Sequence, residues 1–138
     1  MRSHQQVLTI STRGPGLWPI TELVSAVVRS AAIQAGLCTV FIQHTSASLL
    51  IQENADPTVR TDLLRFLSRL APEGQHYDHD AEGPDDMPAH IKAALLPTSL
   101  AIPIAGGELM LGTWQGIYLV EHRRQAHGRQ VVVQILGA

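Results

Sequence analysis

Of the seven histidines in the chain, three fall where an apolar run ends or a polar loop begins. His44 follows the apolar run Cys38-Thr39-Val40-Phe41-Ile42, His79 lies in an acidic loop, and His90 comes just after it. Three imidazoles from different segments, with no thiolate among them, suit a catalytic-type zinc or other divalent site that keeps one position open for water. As imidazolium the same groups can donate protons to phosphate. Each is equally an ordinary hydrogen-bonding side chain, and His76-x-x-His79 is a spacing that recurs by chance in loops.

The acidic groups form a second constellation. Asp80, Glu82, Asp85 and Asp86 fall within seven positions, close to His79 and His90. Oxygen ligands at that density favour Mg²⁺ or a magnesium–diphosphate complex, because magnesium takes a few carboxylates and keeps water or phosphate elsewhere. The plain alternative is a solvated acidic loop in which Asp86 caps a helix starting at Pro88.

Polar residues inside apolar strands make the third. His44-Thr45-Ser46-Ala47-Ser48 sets three hydroxyls beside an imidazole, and Gly112-Thr113-Trp114-Gln115-Gly116 sets an amide and an indole between two glycines. Hydroxyls can receive phosphate oxygens, and an indole can stack on a flat heteroaromatic ring or pack in the core. Ser46 or Ser48 could serve a hydrolase, but the Gly-x-Ser-x-Gly elbow is missing. Glycine-rich phosphate loops, Cys-x-x-Cys pairs and dinucleotide fingerprints are missing as well.

These groups need elements to position them. His4 to Thr12 alternates as an opening strand that Gly14-Pro15-Gly16 breaks. Leu23, Val24, Val27, Val28 and Ala31 recur at helical spacing, predicting a helix from a Thr21 cap to about Ala35, with Gly36 past its end. Leu37 to His44 reads as a strand, and Thr45 to Gln52 as a second strand or a bent extension of it. Asp56 caps the clearest helix; Pro57 fits its first turn, and Val59, Leu63, Phe66, Leu67 and Leu70 form one apolar stripe before Ala71-Pro72. Residues 73–87 contain almost nothing to bury, as befits a functional or mobile loop. A short helix from Pro88 to about Leu96 follows. Ser99 to Ile104, Leu109 to Leu111, Trp114 to Glu121 and Arg129 to Leu136 read as antiparallel strands, with a tight turn at Ala105-Gly106-Gly107-Glu108. The fold class is α+β, a largely antiparallel sheet packed with a few helices, in one domain over residues 1–138.

Composition sets the outer limits. A chain of 138 residues with 45% hydrophobic and 16% charged residues can build its own core. So low a charged fraction suggests that some surface is covered by self-association. Net charge is −2 with scattered basic residues, which excludes a nucleic-acid footprint, and no apolar run is long enough to span a bilayer. The N-terminus does not read as a secretory signal, and the lone Cys38 reads as a buried thiol. A cytoplasmic location is therefore expected.

Five segments occur together in this order in one known family: Gln43-His44-Thr45-Ser46-Ala47-Ser48-Leu49, Glu53-Asn54-Ala55-Asp56-Pro57-Thr58-Val59-Arg60, Tyr77-x-His79-Asp80, Asp86-Met87-Pro88-Ala89-His90-Ile91-Lys92, and Leu111-Gly112-Thr113-Trp114-Gln115-Gly116-Ile117. From about residue 4 to its end the chain resembles the YjbQ family. The resemblance implies an α+β subunit assembling as a homotrimer, with polar sites near subunit boundaries. It also implies a weak or secondary thiamine-phosphate synthase activity, joining an aminopyrimidine methyl diphosphate to a thiazole phosphate with release of pyrophosphate. On that reading His44, His79, His90 and Asp80 are catalytic. The same three histidines, or else Asp80, Glu82, Asp85 and Asp86, hold a divalent ion, Mg²⁺ or Zn²⁺. Thr45, Ser46 and Thr113, with Asp85 and Asp86 through the ion, hold phosphate. Trp114 stacks the pyrimidine, and Gln115 or Asn54 reads its edge. Arg13, Lys92 and Arg123 are candidate phosphate partners. Two other readings stand beside this one: a non-catalytic trimer that binds a metal or phosphoryl ligand, and a metal-assisted hydrolase.

Overall fold

Two antiparallel sheets face each other across one apolar core in the computed structural model, which describes residues 1–138. The chain runs β1 (Arg2–Thr12), β2 (Gly16–Pro19), α1 (Thr21–Ala31), β3 (Ala35–Ile42), β4 (Ala47–Glu53), α2 (Pro57–Leu70), α3 (Asp86–Leu95), β5 (Ser99–Ala105), β6 (Glu108–Leu109), β7 (Gln115–Glu121) and β8 (His127–Gly137). The larger sheet has the order β1-β8-β3-β5-β6 and the smaller β2-β7-β4. This is the expected α+β class.

Period-2 alternation sets the register of the larger sheet. Cys38, Val40 and Ile42 of β3 lie opposite Ile135, Val133 and Val131 of β8, and all six are buried. A slip of one residue would turn this whole row to the other face, and each fully buried Val or Ile is worth about 1.5–3 kcal/mol. Burial also pushes the Cys38 thiol up to about 11, so it stays protonated and inert. The opposite face carries Leu37 paired with Leu136, and Phe41 paired with Val132; Leu37, Phe41 and Leu136 are exposed.

Helix α1 closes the core with Val24, Val27, Val28 and Ala31. It ends earlier than its periodicity predicts, because Ala32 turns left-handed (φ 54°) and Ile33 enters the core. Thr21 is not its cap. Ile20 takes that position, and the Thr21 hydroxyl accepts the Ile117 N–H at 2.9 Å, pinning the helix to β7. In α2 the expected cap holds, Asp56 accepting the Thr58 N–H at 2.9 Å. No α2 residue is buried, and Phe66 and Leu70 of its stripe are half exposed.

Three local departures shape the site. Strand β2 was not expected, and β4 is no extension of β3: the two belong to different sheets, so residues 43–46 cross between them. Helix α3 begins at Asp86 rather than Pro88, and Asp86 is drawn inward as a buried ion-pair partner instead of capping. The β5–β6 turn is tight as expected, with Gly106 and Gly107 both left-handed (φ 60° and 77°), a conformation that suits glycine.

Candidate metal centre and cleft

Two residues one helical turn apart on α3 begin the site. Asp86 and His90 occupy positions i and i+4, so they share a face, and His90 Nε2 lies 3.2 Å from Asp86 Oδ2. The loop before the helix adds His79, whose Nε2 is 2.9 Å from the same oxygen and 3.3 Å from Glu82 Oε2. One ligand atom from each of His79, Glu82, Asp86 and His90 lies within 4.8 Å of all the others.

The surroundings orient these groups. His90 Nδ1 donates to the Thr45 carbonyl at 2.9 Å, leaving the Nε2 lone pair toward Asp86. Two lone pairs 3.2 Å apart repel, so Nε2 meets Asp86 through a second proton or through a cation held in common. Asp86 is 2% exposed, and Arg123 Nη1 donates to its Oδ1 at 2.8 Å. Desolvation would raise the Asp86 pKa. The nearby His90, the bond to His79 and the charge of Arg123 outweigh it and hold the carboxyl below its usual range. Two imidazoles and two carboxylates fit a borderline ion such as Zn²⁺, or the harder Mn²⁺ through the carboxylates, better than Mg²⁺, whose typical shell is all oxygen.

Other acidic residues named from the sequence stand outside this group. Asp85 accepts from Arg123 Nε at 3.0 Å and from the Arg124 N–H at 2.9 Å, tying the loop to the end of β7. Asp80 is exposed and takes no place in the cluster.

Nor is His44 among the clustered ligands. Its Nε2 accepts the Gln130 backbone N–H at 2.8 Å, which uses the lone pair a metal would need. Burial first, then the charge of Arg129, lowers its pKa and keeps the ring neutral. His44 instead lines a cleft of about 670 Å³ with Phe41, Ile42, Gln43, Thr45 and Ser46, and His90, Ala93, Ala94 and Thr98 form the rest of the wall. The cleft thus reaches His90, at the edge of the histidine–carboxylate cluster.

Behind the cleft lies a buried ion pair that sequence reasoning missed. Arg129 donates through Nε and Nη2 to the Glu121 carboxylate and through Nη2 to the Ser46 hydroxyl at 3.1 Å. Thr12 and the N–H groups of His122 and Arg123 complete the shell of Glu121. Burial would raise the Glu121 pKa, but the bonds from Arg129, Thr12 and Arg123 hold it below the usual range. A signal was available: Arg129 is in phase with Val131, Val133 and Ile135, and a charge in phase with a core row needs a buried partner. His122, bonded to Ser48 Oγ at 2.9 Å, is a second buried polar pair; desolvation lowers its pKa to about 4.

Asn54, Thr113, Trp114 and Gln115 gather elsewhere. The Asn54 N–H donates to the Trp114 carbonyl at 2.9 Å, and Gln115 Oε1 accepts the Gly112 N–H at 2.7 Å. Trp114 is 63% exposed, not part of the core. The β4–β7 ladder pairs Glu53 with Gln115 at this end and Ala47 with Glu121 at the cleft end. Six residue steps of about 3.3 Å separate the ends by roughly 20 Å, so within one chain they cannot hold one small substrate. Arg13 is exposed, Arg123 is committed to carboxylates, and Lys92 is partly buried, its pKa lowered chiefly by desolvation.

Comparison with known proteins extends the sequence resemblance. A family model described as UPF0047 protein YjbQ-like matches residues 6–138. UPF0047 protein sll1880 of Synechocystis sp. is 54% identical over 137 residues, covering 99% of this chain and 93% of that protein. UPF0047 protein YjbQ of Escherichia coli O157:H7 is 43% identical over 135 residues, covering 97% and 98%. Among solved structures, a YbjQ-like protein of unknown function from Sulfolobus solfataricus P2 superposes with a TM-score of 0.88 at 25% identity, over 99% of this chain and 100% of that one. An uncharacterized conserved protein of the yjbq/upf0047 family from Clostridium acetobutylicum gives 0.85 at 39% identity, over 96% and 99%. No helix of this chain is long and apolar enough to cross a membrane.

Proposed function

The chain belongs to the YjbQ-like UPF0047 family, and on that premise we propose that it binds a divalent metal ion at His79, Glu82, Asp86 and His90 and acts on a phosphorylated small molecule in the adjoining cleft. The observation that carries this is the convergence of two imidazole nitrogens and two carboxylate oxygens within 4.8 Å, beside a cleft of about 670 Å³. A bound ion there supplies positive charge to phosphate oxygens, which these carboxylates alone would repel. His90 holds its lone pair in place through Thr45, and Arg123 holds Asp86.

Thiamine-phosphate synthesis is the specific activity in this reading. The thiazole nitrogen attacks the pyrimidine methylene carbon, the carbon–oxygen bond to diphosphate breaks, and the electron pair leaves with pyrophosphate. Trp114, Gln115 and Asn54 lie roughly 20 Å from the cleft end, by strand rise. For them to read the pyrimidine, a neighbouring subunit must bring its own copies to this cleft. Self-association, taken here as a homotrimer, is supported by the exposed Leu37, Phe41 and Leu136 on the uncovered sheet face.

The test is thiamine-phosphate formation by the purified protein with Mg²⁺, Mn²⁺ or Zn²⁺, with chelator, and with the His79→Ala variant. Metal-dependent product lost in the variant supports the synthase. Metal binding without product would leave a binding or hydrolytic site, because the donor set suits either.

A further inference from the structure

His44 carries a hydrogen-bond donor that no acceptor in the chain uses. Its Nε2 accepts the Gln130 N–H at 2.8 Å, so the proton of the neutral ring sits on Nδ1. That Nδ1 faces Arg129 Nη1 at 3.4 Å, and a guanidinium nitrogen is never an acceptor. The opposite tautomer would set an Nε2–H against the Gln130 N–H at 2.8 Å, a worse clash of donors.

Arg129 is otherwise committed. Its Nε and Nη2 bind Glu121, and Nη2 also reaches Ser46, while Nη1 meets no protein group except His44. The Arg129 side chain is only 3% exposed. Two donors therefore converge with no oxygen between them, one from the buried Arg129 and one from His44 on the half-buried cleft wall. An acceptor from outside the chain would satisfy both. His44 and Ser46 are walls of the cleft, and none of the cleft's lining residues is a carboxylate that would repel an anion. Thr45 and Thr98 contribute further hydroxyls to the same lining.

We propose that His44 Nδ1 and Arg129 Nη1 form a seat for one oxygen of a phosphate or phosphoester group, separate from the metal cluster. The proposal rests on the preceding reading only in taking the cleft as the ligand site; the seat itself needs no metal. Glu121 lies on the far side of the guanidinium, so the seat offers the positive end of an ion pair rather than a full charge. The same lining carries the hydroxyl-bearing Thr45, Ser46 and Thr98 beside His44, so a phosphate, with more acceptor oxygens than a carboxylate, matches its supply of donors better. The Thr45 carbonyl that holds His90 belongs to the residue after His44, so this turn faces both the seat and the metal cluster. The ligand class that fits is a small molecule presenting a phosphate to the seat and a metal-binding group to the cluster.

The experiment is titration of metal-free protein, in chelator, with inorganic phosphate, followed by calorimetry and by the histidine ring ¹⁵N–¹H spectrum. His44→Gln keeps an acceptor near the Nε2 position for Gln130 but deletes the Nδ1 donor; His44→Asn keeps a donor near Nδ1. Phosphate should shift the His44 ring signals, bind about tenfold more weakly to His44→Gln, and recover part of that loss in His44→Asn. Thermal melting of both variants checks the fold. Unchanged phosphate affinity in His44→Gln, or no phosphate binding to the metal-free protein, would overturn the seat. Acetate binding as tightly as phosphate would overturn the phosphate assignment. Failure of the metal centre appears separately, as lost Mn²⁺ binding with phosphate binding in chelator intact.

Discussion

Arg123 Nη1 donates to Asp86 Oδ1 at 2.8 Å, which leaves Oδ2 as the one oxygen of that carboxylate facing His79 and His90. The guanidinium thereby fixes the direction in which Asp86 can coordinate. Removing such an outer partner costs about 10–100-fold in metal affinity at known sites. Arg123→Gln should weaken Mn²⁺ or Zn²⁺ binding by that factor, read by calorimetry on the folded variant. Unchanged affinity would mean that Asp86 is no ligand or is oriented by something else.

Acid should destabilise the protein well above the carboxylate range. His122 is buried, and desolvation lowers its pKa from 6.5 to about 4. The unfolded chain binds this proton first, so stability is full above the unfolded pKa and falls as pH drops from about 6.5 toward about 4. The whole window is worth on the order of 3 kcal/mol. Urea midpoints should decline across it in the wild type and flatten in His122→Asn. A wild-type midpoint independent of pH there would refute the assignment.

Across the β3–β8 ladder Gly36 faces Gly137. A Cβ on Gly36 would sit 2.1 Å from the Leu136 carbonyl oxygen, and one on Gly137 would sit 2.1 Å from the Ala35 oxygen. The obstruction is backbone, so a rotamer change cannot relieve it. Gly36→Ala should cost on the order of 2 kcal/mol or more by denaturant unfolding. Gly128→Ala, where the added carbon meets only Thr9 Cγ2 at 3.7 Å, is the mild control.

Leu37 and Leu136 are cross-strand partners on the uncovered sheet face, and both are exposed. If that face joins the subunits, a charge at its centre is left buried and unpaired in the assembly. Leu136→Glu should then convert the proposed trimer to monomer in sedimentation while far-ultraviolet circular dichroism stays constant. A variant that still sediments as a trimer would place the subunit contact elsewhere, the half-exposed α2 stripe being next in line.

Local periodicity carried most of the fold. The β3 and β8 rows, the α2 cap at Asp56 and the Gly106-Gly107 turn were legible because each depends on neighbours along the chain. Where another element competed, the local signal failed. Thr21 gave up its capping role to bond Ile117, ninety-six positions away, and the α1 pattern stopped at Ala31 because Ile33 was needed in the core.

In the site, the sequence by itself placed His79, Asp80, Glu82, Asp85, Asp86 and His90 within twelve positions, but which of them share one point was decided by the fold. The sequence also marked His44 as a polar group closing an apolar strand. Only the tertiary structure decided that Asp86 would be buried under Arg123, that His44 would turn its lone pair to Gln130, and that Trp114 would lie at the far end of the β4–β7 ladder. It alone paired Glu121 with Arg129 behind the cleft. The reason is geometric: spacing along a helix or strand sets the direction of a side chain relative to its own element. What it meets there depends on which element the fold lays opposite.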